Sequence, residues 1–241
     1  MNERRSQIES HVGLTDVELI ESCIAIDGPT ASGKSVIGSQ LSHHLGIPFC
    51  DTGLMYRAAT LSVLHAEISP DDSVKVIEYL ANLDLDLYWE TPENPIILLN
   101  SISVNDQLRK PEIENTVSLI AKLPAVRSML VARQRFIASR EAVIMVGRDI
   151  GRVVLPEAKT KIFLDASIEV RARRRYADQI EVGQSMTVQQ VQEATSYRDQ
   201  ADDTGKRSIR PEQAADDATV IFTDNLSERE VFDRCLGLYA K

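Results

Sequence analysis

The stretch that most constrains this chain is Gly28-Pro29-Thr30-Ala31-Ser32-Gly33-Lys34-Ser35, a G-x-x-x-x-G-K-S spacing set between two apolar runs of different period. Before it, Ser22 to Ile26 (SCIAI) is short and apolar in the manner of a buried strand. After it, Lys34 to Leu45 carries apolar residues at 36, 37, 41 and 45 and then meets Gly46, which predicts a helix with a glycine stop. A strand, a glycine-rich loop and a helix in that order aim backbone N–H groups and the positive end of a helix dipole at one point, which makes a phosphate cradle. Gly28 to Ser35, with Val36, are therefore expected around the phosphates of a nucleoside triphosphate. Lys34 reaches the β and γ oxygens, and the Ser35 hydroxyl is the expected protein ligand of a Mg2+ ion.

The flanking pattern repeats. Ile47 to Cys50 reads as a second strand and Asp51 or Thr52 as the N-cap of a helix to about Ala66, so the chain opens β-α-β-α, the signature of an α/β fold on a parallel sheet. Leu83 to Trp89 alternates with period two, TPENP turns the chain, and Ile96 to Leu99 and Ile102 to Val104 follow, which predicts a small antiparallel insert. Pro111 and Pro124 each stand at the first position of an expected helix. Ala142 to Val146, Lys161 to Leu164 and Ala218 to Phe222 read as further strands of the core. Ser167 is expected to cap an arginine-rich helix, and Ser227 with Glu230 forms a capping box opening a last helix to about Tyr239. Gly183 to Thr204, polar and poor in large apolar residues, is expected to be a mobile excursion from the core.

Composition narrows the class. With 43% hydrophobic and 26% charged residues in 241, neither disorder nor a collagen or coiled-coil repeat fits. No run approaches the roughly 18 apolar residues of a membrane-spanning helix. The first 21 residues have no apolar signal region, so a cytoplasmic address and an N-terminal extension over 1–21 are expected. Cys23, Cys50 and Cys235 lie far apart with no partner at metal-ligand spacing and are expected to be buried side chains. A net charge of −9 speaks against a nucleic-acid partner. Within that acidic chain, residues 133 to 175 carry nine arginines and two lysines against five acids. Arginine forks pair with phosphate oxygens, so a small polyanionic ligand is indicated.

Two more motifs follow strands. Asp51-Thr52-Gly53-Leu54-Met55-Tyr56-Arg57 and Gly147-Arg148-Asp149-Ile150-Gly151 would stand at carboxyl ends of strands, where parallel sheets bind ligands. Taken with IAIDGPTASGKS, SLIAKLPAVR and IFLDASIEVRARRR, the ordered set resembles bacterial cytidylate kinases from about Cys23 to the C-terminus. That resemblance implies a P-loop nucleoside triphosphatase core over 22–241 with an acceptor-binding insert at about 67–110 and a mobile helical lid at about 168–207. It implies transfer of the γ-phosphoryl of ATP to CMP or dCMP, with Mg2+, in a cytoplasmic monomer without nucleic-acid or membrane partners. It places Lys34, Arg148 and Arg207 at the reaction, Thr52, Arg57 and Arg148 on the acceptor phosphate, Ser118, Arg127 and Asp149 on the cytosine edge, and Arg198 and Asp202 among the other acceptor contacts. Chemistry agrees: a carboxylate at Asp149 accepts from the cytosine amino group, whereas uracil offers an acceptor there.

The chain departs from the family pattern at Ala201, where a second arginine is usual, and at Arg152, where threonine is usual. The run from Arg198 to Arg207 is about two residues longer than usual, leaving open whether Asp202 or Asp203 faces the ribose. The string GPTASGK is also shared by enzymes that transfer prenyl groups to tRNA, and a nucleotide-gated regulatory ATPase is a third alternative.

Overall fold

A computed structural model describes residues 15–181, 185–204 and 210–239. Five strands form a parallel sheet: β1 (Ile24–Asp27), β2 (Phe49–Asp51), β6 (Ile144–Gly147), β7 (Thr160–Asp165) and β8 (Thr219–Phe222), in the order β2-β6-β1-β7-β8. Because β1 is central, its residues are buried on both faces, which is why SCIAI lacks the alternation of a half-exposed strand.

Helix α2 (Lys34–Leu45) ends at Gly46 with φ +70°, the left-handed geometry the sequence predicts for a glycine stop. One apolar layer joins α2 and α9 (Glu228–Tyr239) to the sheet through Ile37, Leu41, Ile144, Ile162, Phe232 and Cys235. The opposite layer is built by α3 (Thr52–His65), α5 (Pro111–Ala121) and α6 (Pro124–Ala138) around Met55, Ile113, Ile120 and Leu130. All three cysteines are buried and unbridged. The Ser227 and Glu230 capping box is present, with Glu230 N–H donating to Ser227 Oγ and Ser227 N–H to Glu230 Oε2.

The antiparallel sheet is also present: β3 (Leu85–Thr91), β4 (Asn94–Leu99) and β5 (Ile102–Ser103), in that order. Its hairpin docks on edge strand β2, where Trp89 Nε1 donates to the Phe49 carbonyl at 2.6 Å and Phe49 N–H donates to that of Pro92 at 2.7 Å.

Three elements lie beyond what the local sequence patterns announce. The stretch from Gly183 to Thr204 is for the most part a helix, α8 (Val188–Thr204), packed along α7 (Ile168–Glu181); 183 and 184 lie outside the described residues. Thr195 and Asp202 are buried on α8 along with Val191, so polar side chains of this helix make contacts inside the molecule. Helix α4 (Ser73–Leu80) was not expected, although Asp72 caps it and Val76 and Leu80 are buried. Finally, the end of the expected N-terminal extension belongs to the folded body. Thr15 and Glu18 form a capping box on α1 (Asp16–Glu21), and Leu19 and Ile20 are buried.

Candidate active site

The loop from Gly28 to Gly33 leaves β1 and enters α2 at the carboxyl edge of the sheet. It lies so close to β7 that a Cβ on Gly28 would stand 2.0 Å from the Leu164 carbonyl oxygen, and its φ of +143° excludes other residues as well. Gly33, at φ +99°, makes the left-handed step into the helix. Lys34 is buried and folds back over its own loop, donating to the Pro29 carbonyl at 2.5 Å and Ser32 Oγ at 3.3 Å. Burial, with help from Arg148, pulls the Lys34 ammonium well below its ordinary pKa, and an anion in the loop would favour its charged form. Val36 is exposed, one residue beyond Ser35.

Arg148, at the end of β6, reaches across the loop. Its Nη2 donates to Thr30 Oγ1 at 2.5 Å and its Nη1 to the Gly28 carbonyl at 3.4 Å, while its Nε pairs with Asp202 Oδ2 on α8 at 2.8 Å. Burial works against its charge, but Asp202, together with Asp199 and Asp51, outweighs this and holds the guanidinium above its ordinary pKa. Two residues of α7 reach the same loop. Arg171 is buried, with Nη1 on the Thr30 carbonyl at 3.1 Å and Nη2 on Asp199 Oδ2 at 2.6 Å, and Arg174 Nη1 lies 3.4 Å from the Ser32 carbonyl. Helices α7 and α8 are therefore drawn down onto the phosphate loop by guanidinium groups.

Beneath Arg148 lies a support the sequence did not reveal. Asp27, the last residue of β1, accepts from Ile150 N–H at 2.7 Å and Gly151 N–H at 2.8 Å. It thereby fixes the single π turn Ile150–Val154 that follows Arg148 and Asp149. Burial raises its carboxyl to about 6 against the pull of those two N–H groups.

The expected acceptor residues take separate partners. Thr52 is buried and donates to the Val146 carbonyl at 2.9 Å. Arg127 and Asp149, assigned to one base edge, are paired with each other; Ser118 is half-buried on α5, one turn beyond Glu114. Arg57 Nε and Nη2 bond Glu114 Oε1 at 3.0 and 2.5 Å, and Arg175 and Arg198 converge on Glu114 Oε2 at 3.2 and 3.1 Å. Burial pushes Glu114 up, yet the three guanidiniums together hold its carboxyl at about 2. Burial and the neighbouring Arg148 lower Arg198 to about 10, still charged at neutral pH. Thr52, Arg57 and Arg148 thus have different partners here, with Arg148 turned toward the loop side.

Of the two carboxylates left open, Asp202 faces inward to Arg148, while Asp203 Oδ1 turns outward to Arg210 and Gln213. Arg207 lies outside the described residues.

Comparison with known proteins settles the family. A sequence profile described as cytidylate kinase matches residues 24–241. The chain belongs to the cytidylate kinase family. Relatives include the cytidylate kinase of Geobacillus sp. (strain WCH70), 41% identical over 215 residues, which cover 89% of this chain and 95% of that protein. The cytidylate kinase of Caldanaerobacter subterraneus subsp. tengcongensis is 42% identical over 211 residues, covering 88% and 91%. The chain is accordingly a nucleoside monophosphate kinase, a transferase, and its family implies small nucleotide substrates with ATP as phosphoryl donor. Membership sets aside the prenyl-transfer and regulatory-ATPase readings. Among the described residues, no helix is long and apolar enough to cross a membrane.

Several site residues carried no sequence signal of their own. Glu114 and Asp27 sit in ordinary helical and strand patterns, and Arg171 and Arg174 were visible only as members of a charged run. Asp51 was read as a cap, which it is for Gly53 N–H, yet its second oxygen accepts from Ser35 Oγ at 2.9 Å.

Proposed function

We propose that this kinase transfers the γ-phosphoryl group of ATP to CMP and dCMP in one direct step. The observation that carries this reading is Arg148, whose guanidinium bonds the phosphate loop on one side and α8 on the other, so donor and acceptor would meet across it. Two polyanions repel strongly: unit charges about 4 Å apart interact by about 4 kcal/mol at an effective dielectric near 20. Lys34, Arg57, Arg148, Arg198 and Arg207 are the cations proposed to offset that repulsion. The acceptor needs no general base, because a monophosphate with a second pKa near ~6 is largely a dianion at neutral pH.

With Ser118 proposed as a third contact to it, cytosine as the base is supported by Arg127 and Asp149. One donates and the other accepts, which suits the ring acceptors and the amino donor of cytosine and mismatches uracil. Ser35 Oγ and Asp51 Oδ2 are hard oxygen donors side by side where the loop enters α2, a set that fits Mg2+. When bound there, Mg2+ supplies positive charge to the donor phosphates. In this reading Asp202 is the carboxylate facing the acceptor, 67–110 is the acceptor-side insert and 168–207 the lid. Shut over the loop, α7 and α8 exclude the water that would otherwise compete for the phosphoryl group. The same reading takes the enzyme as a cytoplasmic monomer, which light scattering and cell fractionation test.

The deciding experiment is a coupled ADP assay with Mg-ATP and CMP, dCMP, UMP or AMP. Turnover with CMP and dCMP well above UMP and AMP is expected; no CMP-dependent ADP, or equal rates with UMP, would overturn the assignment.

A further inference from the structure

Glu114 stands on α5, outside every motif that carries the family resemblance, and yet three guanidiniums from three other helices meet on it. Arg57 comes from α3, Arg175 from α7 and Arg198 from α8. Its carboxylate uses both oxygens, one for Arg57 and one shared by Arg175 and Arg198. Three fixed cations carry +3, and the carboxylate between them offsets only one of those charges. A phosphate monoester dianion in its place would offset two, and a phosphate also offers three oxygens where the carboxylate offers two. The cluster is not sealed off, since the four side chains keep between 15% and 28% of their surface open to solvent.

We propose that Glu114 is an internal stand-in for the phosphate of the acceptor nucleotide, holding Arg57, Arg175 and Arg198 together until that phosphate displaces it. The proposal rests on the acceptor reading above and adds to it a residue that sets acceptor affinity by competition. A ligand phosphate enters a cradle whose arginines are already gathered, which lowers the ordering cost of binding, but it must first displace the carboxylate. The contact also explains how α7 and α8 lie closed while joined to α5, because Arg175 and Arg198 span that gap through Glu114.

The test is Glu114→Gln, which keeps the shape and removes the charge. Inorganic phosphate serves as the probe, since it needs no assigned base, and its binding is read by calorimetry beside that of CMP. Phosphate and CMP are expected to bind at least threefold more tightly to the variant than to the parent. That gain should vanish when Arg57→Ala is added, which separates this cradle from the phosphate loop. Unchanged or weaker phosphate binding in Glu114→Gln would show that the carboxylate only braces the arginines, and the proposal would fall. If phosphate binding tightens while CMP binds neither protein, the stand-in holds and the acceptor reading fails instead. Should Glu114→Gln not fold, Glu114→Asp repeats the test with a carboxylate one methylene shorter, and tighter phosphate binding is again expected.

Discussion

At the scale of single residues, the most informative side chain is Arg148, because two machineries share it. The family resemblance puts it at the reaction and on the acceptor phosphate. Its bonds to Thr30 Oγ1 and the Gly28 carbonyl tie it to the phosphate loop as well. Hydrogen bonds to charged groups contribute about 1.5–3 kcal/mol each, so losing them on both sides should weaken ATP and CMP alike by roughly tenfold or more. Separate titrations with each nucleotide check this, and an unchanged ATP affinity would return Arg148 to the acceptor side. The motif around Arg148 was legible because it follows an apolar strand. Which partners its guanidinium takes was not, since Thr30 and Asp202 lie 118 and 54 residues away in the chain.

At the scale of elements, the β1 strand and the π turn after β6 behave as one unit. Asp27 ends β1 and accepts two N–H groups of the turn, so its carboxylate sets where Arg148 and Asp149 stand. Asp27→Asn keeps one acceptor oxygen and turns an amide N–H toward the other N–H. An unmet buried donor costs about 1–3 kcal/mol, equivalent to a fall in Tm of roughly 2–10 °C for a chain of this size. A lower kcat should accompany it, and calorimetry with steady-state kinetics measures both. If neither moves, the turn is held by its other contacts. Strands and capped helices were readable here because period, proline and capping residues are local signals. Helix α8 was not, because it buries Thr195 and Asp202 and makes its contacts through charge, so no apolar stripe announces it.

At the scale of the whole molecule, the net charge of −9 conceals a cationic centre walled by carboxylates. Glu114 is held at about 2, below its ordinary 4.5, so its contribution to stability is complete above pH 4.5 and is lost as pH falls toward 2. A shift of that size corresponds to roughly 3 kcal/mol. Asp27, raised to about 6 from 3.8, has the opposite sign: its contribution is present below pH 3.8 and is lost as pH rises through 6. Denaturant unfolding of the parent and of Glu114→Gln should therefore show a stability gap at pH 6 that narrows by pH 3. A gap that stays constant would mean the arginines do not depress this carboxyl.

The amino-acid sequence by itself determined the strands of the core, the capped helices beside them, the phosphate loop with its two positive-φ glycines, and the family, because each rests on local patterns along the chain. Only the tertiary structure decided which charges meet. With 27 basic and 36 acidic side chains, the number of possible pairs is large. Position in space alone selects Glu114 for three arginines, Asp202 for Arg148 and Asp149 for Arg127, since charge attraction is strong only at contact and falls away through solvent.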